Sequence, residues 1–176
     1  MIDLIKLKIA YFILNKKASH NNIKKKSFTN LLKNSFRFLI IMPLKEVPFH
    51  KAIEVLKFFD GLNKDTIVFT QDFRVNLLPP KYRSEALDFS IIDVNKLKLP
   101  SKRLEKKIKT FEFDVVIDLE KEENLFNSML VCLANAPVKI GFRKKNSDKY
   151  YSLQIDNMEV NPEIFYKNLL NCLQMF

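Results

Sequence analysis

Phe113-Asp-Val-Val-Ile-Asp-Leu119 is followed by EKEE, by Asn124-Leu-Phe-Asn-Ser-Met-Leu-Val-Cys-Leu-Ala134, and by Val138-Lys-Ile140. The first run is continuously apolar apart from Asp114 and Asp118, as expected for a strand covered on both faces. In the second, Leu125, Phe126, Met129, Leu130 and Leu133 recur at helical spacing. The third is short and apolar again. Strand, helix and strand within thirty residues make a crossover unit, which joins parallel strands and is right-handed.

The same alternation extends outward. Phe38–Met42 (FLIIM) and Thr66–Phe69 (TIVF) read as strands, and Ala52–Phe59 between them has helical spacing that stops near Gly61. Pro43 and Pro48 bracket a loop. Asp72–Leu78 reads as a short helix ended by Pro79-Pro80, and Leu87–Ile92 as a third strand. Ser101 is a natural cap for a helix reaching about Thr110. Tyr151–Ile155 reads as a last strand and Pro162 opens a helix over Glu163–Met175. The expectation is an α/β, Rossmann-like three-layer domain with a mostly parallel sheet over residues 36–176. Residues 1–35 are expected to form a basic arm, made of a helix over 2–17 and a polar linker over Asn15–Ser27.

A chain of 176 residues, 47% apolar and 28% charged, has the balance of one folded domain. It has no Trp, but sixteen Phe supply bulk for a core. Its two glycines, Gly61 and Gly141, are isolated, which excludes the glycine-rich phosphate loops of common nucleotide-binding enzymes. Cys132 and Cys172 sit in apolar helical patterns without a metal-ligand partner, so they read as reduced thiols of a cytoplasmic protein. The N-terminal apolar stretch is interrupted by Asp3, Lys6 and Lys8, and it lacks the form of a signal peptide or a membrane span. His20 and His50 are too few for a metal site or a triad, and His50 reads as a surface or capping residue. Asp114 and Asp118 share a strand face and could act as acids, although Asp118 could equally cap the next helix. No catalytic residue, metal or cofactor is expected.

The charge is uneven. Of the formal +10, residues 1–37 hold nine Lys or Arg against Asp3 alone, a surplus of eight. A tail of one sign calls for an anionic partner. Two further basic clusters lie in the body. Lys96, Lys98, Lys102, Arg103, Lys106, Lys107 and Lys109 face one acid, Glu105, and residues 102–109 read mainly as a solvated helix face; Arg143, Lys144 and Lys145 follow a strand.

Residues 113–142 resemble the N-terminal domain of heptosyltransferase-type glycosyltransferases, through Phe113-Asp114-Val115-Val116-Ile117-Asp118-Leu119, then Ala136 and Ile140-Gly141-Phe142. The likeness extends over roughly 36–156 and implies the N-terminal half of a GT-B fold. That family places a Gly-Asp pair, with Asp as catalytic base, after its first strand. Here Val47-Pro48 stand at that place, with Glu46 beside them read as a solvated residue. The family's donor-binding second domain has no counterpart in this sequence.

The reading is therefore a non-catalytic RNA-binding protein, ribosomal or ribosome-associated. Ribosomal RNA and neighbouring ribosomal proteins would be its partners, with no small-molecule substrate. Phosphate contacts fall to Lys16, Lys17, Lys24, Lys25, Lys26, Lys33 and Arg37, then to Arg143, Lys144 and Lys145. The alternative is a glycosyltransferase subunit or remnant at a membrane surface, with helix 2–17 in an anionic interface. A third reading uses that helix to dock a protein.

Overall fold

Apolar runs bounded by proline, glycine and polar turns become strands because two helical layers cover them. The computed structural model describes residues 2–19 and 28–176. Its strands are β1 (Arg37–Ile41), β2 (Asp65–Gln71), β3 (Leu87–Phe89), β4 (Val115–Asp118), β5 (Val138–Phe142) and β6 (Leu153–Ile155). They form one sheet in the order β3-β2-β1-β4-β5-β6, and every pairing is parallel. The fold is Rossmann-like. The order reverses between β1 and β4, which places a crevice at their C-terminal ends.

Alternate residues of each strand enter different cores. Phe38, Ile40, Val68, Val115, Ile117, Val138 and Ile140 point to one face. There they meet α2 (Leu31–Asn34), α3 (Glu46–Gly61) and α7 (Pro162–Gln174). Leu39, Ile41, Ile67, Phe69 and Val116 point to the other, covered by α1 (Ile2–Ser19), α5 (Lys102–Lys109) and α6 (Leu125–Leu133). A short α4 (Pro80–Arg83) follows β2. The expected caps are in place: the Ser101 hydroxyl accepts from the Leu104 N–H at 3.3 Å, and Pro162 occupies the first turn of α7.

Several expectations change in detail. Residues read as an arm pack onto the domain. Ala10, Leu14 and Ala18, four apart on α1, are buried in the second core, and Leu31 and Leu32 of α2 in the first. Asn15–Ser19 are the last turn of α1 rather than linker. The third strand stops at Phe89, because Ser90 and Asp93 exchange hydrogen bonds as a capping box and bend Ile91–Asp93 into a 3₁₀ turn. Ile91 is left outside, 87% exposed. Asp72–Leu77 is 3₁₀ rather than α-helical. Glu46, Val47 and Pro48, read as loop, form the first turn of α3, where the missing N–H of proline has no intrahelical partner to lose. Cys132 is buried and Cys172 half-buried, and the two are not joined in a disulfide.

Gly141 is the glycine the packing requires. It lies on β5 between Asp118 of β4 and Gln154 of β6. A Cβ there would meet the Tyr151 ring at 2.4 Å, whereas one on Gly61 meets nothing within 4 Å. Gly141→Ala is expected to lower stability by about 1–3 kcal/mol through overpacking. Gly61→Ala should leave stability unchanged or raise it by up to about 1 kcal/mol, through a stiffer unfolded chain. Urea denaturation of the two variants checks this; equal effects would contradict the packing at Tyr151.

Candidate functional site

The docking of α1 decides where the N-terminal charge goes. Ala10, Leu14 and Ala18 are small or medium side chains, so the helix packs closely on α6, whose Met129, Leu130 and Leu133 belong to the same core. Its last turn then stands beside α5, near the edge where the strands begin. Lys17 Nζ lies 3.7 Å from Glu105 Oε1, and Lys109 Nζ is bonded to the same oxygen at 2.6 Å. Lys102, Lys106 and Lys109 follow at spacings of four and three, hence along one face of α5. Lys16, Lys17 and Lys102 line a groove of about 690 Å³ between α1 and α5, with Met129 and Leu133 in its lining. Lys17 and Lys109 thus share one carboxylate, and Lys16 and Lys102 line the same groove. The Lys109 hydrogen bond, with Lys17 nearby, holds Glu105 below the ordinary carboxylate range, and Glu105 raises Lys109.

Behind this group lies a lysine that composition gave no reason to single out. Lys139 on β5 points to the face covered by α1 and α6 and is 5% exposed. Burial, with a smaller contribution from the charge of Lys17, lowers its pKa from 10.5 to about 8.

The other expected phosphate contacts divide between the two ends of the sheet. Lys33 is exposed on α2 and Arg37 stands at the start of β1, 3.1 Å from Asp65. Both belong to the strand-starting edge. Arg143, Lys144 and Lys145 follow β5 at the opposite edge. Arg143 pairs with Asp156 at 2.9 Å, and Lys145 is exposed. Lys144, expected as a phosphate contact, does not reach the surface: its side chain is 2% exposed and bonded at 2.9 Å to Asp118, so its charge is spent inside the protein. His20, Lys24, Lys25 and Lys26 lie outside the described residues.

At the crevice end, the carboxylates are held by the fold itself. Asp118 is fully buried; its Oδ2 accepts from Lys144 and, at 2.5 Å, from the Tyr151 hydroxyl. Its Oδ1 accepts from the Glu120 N–H at 3.0 Å. It does not cap α6, because the Asn124 side chain accepts from the N–H groups of Phe126 and Asn127 there. Glu120 is 4% exposed; burial raises its pKa while the N–H groups of Leu44 and Glu122 bond to it. Asp114 lies at the other end of β4, accepting from the N–H groups of Phe36 and Arg37, so it does not share a site with Asp118. His50 is exposed on α3. A cavity of about 600 Å³ opens over the ends of β2 and β3, with Gln71, Phe89 and Phe126 in its lining and Lys6, Lys96 and Lys98 at hand. Among the described residues no three His, Cys, Asp or Glu side chains gather as a metal site, and no helix is long and apolar enough to cross a membrane.

The Lys139 environment has a measurable consequence. Between pH 8 and 10.5 the unfolded chain keeps a proton that the folded protein has released, so this group's contribution to stability rises with pH across that window. Lys139→Met removes the titration. Its stability advantage over the parent should shrink by up to about 3 kcal/mol between pH 7 and pH 10.5, as the depressed pKa requires. Urea midpoints at the two pH values test it, and a gap that stays constant would show that Lys139 titrates normally.

No protein-family model, curated protein or solved structure matches the chain.

Proposed function

We propose that the chain is a non-catalytic RNA-binding protein, ribosomal or ribosome-associated, that holds RNA phosphates along the strand-starting edge of its sheet. The observation that carries this reading is the meeting of Lys17 and Lys109 on one carboxylate, Glu105, in a groove that Lys16 and Lys102 also line, with Lys106 on the same face of α5. Such a group is repulsive in the free protein and is relieved when phosphates enter and their condensed counterions leave. The groove between α1 and α5 admits a backbone without base-specific contacts, which suits a phosphate-positioning role. In the sequence Lys24, Lys25 and Lys26 fall between α1 and α2, and Lys33 and Arg37 stand at the strand-starting edge.

The non-catalytic part of the reading is supported by the use made of the crevice carboxylates. Asp118 is consumed by Lys144 and Tyr151, and Glu120 by two backbone N–H groups. The heptosyltransferase-like scaffold is part of the same proposal. At the place of that family's catalytic loop, this chain has the first turn of α3, with Val47 and Pro48 in it.

Binding of a structured RNA fragment, measured by filter retention across a salt series, tests the proposal. The triple variant Lys16→Gln, Lys102→Gln, Lys106→Gln should reduce the salt slope by about 2–3, close to one counterion per lost phosphate contact. The same variant should bind at least about tenfold more weakly at moderate salt. Arg143→Gln with Lys145→Gln should change neither by much. If the second pair weakens binding as much as the triple, RNA does not lie along the α1–α5 edge.

A further inference from the structure

The inward face of α1 accounts for Ala10, Leu14 and Ala18, but the helix carries a second apolar face. Ile5, Ile9 and Phe12 recur at spacings of four and three, so they lie in one stripe, turned away from the Ala10–Leu14 side. They are 54%, 45% and 69% exposed, and Leu4 beside them is 64% exposed. A helix apolar on opposite faces has nearly no amphipathic direction, which is why periodicity alone does not reveal how it packs. Large side chains exposed in a contiguous row signal an interaction surface. Lys8 flanks the stripe, Lys16 follows Phe12 at its end and reaches the α1–α5 groove, and the helix as a whole carries Lys6, Lys8, Lys16 and Lys17 against Asp3.

We infer that this outer face of α1 is a docking surface for an anionic lipid bilayer, on which the helix lies parallel to the membrane plane. Apolar side chains at the acyl boundary with lysines at headgroup level are what such an interface accepts. The helix lies on the bilayer and does not cross it, since it is not long and apolar enough to span one. Two features disfavour a second copy of the chain as the occupant. A single stripe of three or four side chains is narrow beside a standard protein interface of roughly 800 Å² per partner, and two such faces would bring Lys8 and Lys16 against their own like charges. The inference does not rest on RNA binding, because Ile5, Ile9 and Phe12 take no part in the α1–α5 groove.

The chain lacks tryptophan, so Phe12→Trp installs a single fluorescent reporter at the centre of the face without disturbing a buried residue. The full-length variant, with its fold checked by circular dichroism, is mixed with vesicles of phosphatidylcholine alone or of equimolar phosphatidylcholine and phosphatidylglycerol. The expected result is a blue-shifted emission, quenched by brominated acyl chains, with the anionic vesicles only. On the parent chain, Ile5→Ser with Phe12→Ser should reduce pelleting with those vesicles by at least about tenfold. Lys8→Gln should weaken it less, in a salt-sensitive way. Pelleting with unshifted emission would mean adsorption through the basic arm and would overturn the inference. So would a blue shift that needs no vesicles and grows with protein concentration, which would assign the face to a second copy. Absence of both pelleting and shift would overturn it as well.

Discussion

The buried ion pair between Asp118 and Lys144 is the constraint on which the far half of the molecule depends. It joins the end of β4 to the turn after β5, and Tyr151 closes it through its hydroxyl. Two charges withdrawn from water are stable only with close geometry and every remaining lone pair used. Here the Glu120 N–H and Asn127 supply the rest. Tyr151 can reach Asp118 because its ring lies against Gly141, where no Cβ intervenes. Loss of either charge would leave the other buried without a partner, which costs about 3–5 kcal/mol in comparable cases.

The same pair shapes what each edge of the sheet can do. It removes Lys144 from the surface and gives Asp118 a structural task, so neither is offered to a ligand at the crevice. A basic surface away from this pair lies where α1 meets α5. There, α1 is pressed onto α6 through Ala10, Leu14 and Ala18, and its lysines stand beside those of α5. One packing interaction therefore does two things: it creates the basic groove, and it turns Ile5, Ile9 and Phe12 outward.

Much of the fold is legible in the sequence because its signals are local. The strands at Phe38, Thr66 and Phe113 are continuous apolar runs, and the helix starts at Ser101 and Pro162 carry their own caps. The site is less legible because its determinants are distant in sequence. Nothing near Lys144 announces Asp118, twenty-six residues earlier, and Lys17 meets Glu105 only through the packing of α1. The inward strip of α1 is masked by apolar residues on its other sides. The lysines of α5 read as a solvated face, which they are; their proximity to Lys16 and Lys17 gives them a joint meaning. Lys139 reads as one charge on a strand, and only the cover of α1 and α6 makes it a buried amine with a lowered pKa.

The central claim is that cations of the strand-starting edge, and not those following β5, meet an anionic polymer. Photocrosslinking of the full chain to RNA, with the crosslinked peptides mapped by mass spectrometry, tests it most directly. Crosslinks are expected in the peptides that carry Lys16–Lys17 and Lys102–Lys109, with few or none in the peptide around Arg143 and Lys145. Crosslinks concentrated at Arg143 and Lys145, with the α1 and α5 peptides unmodified, would contradict it.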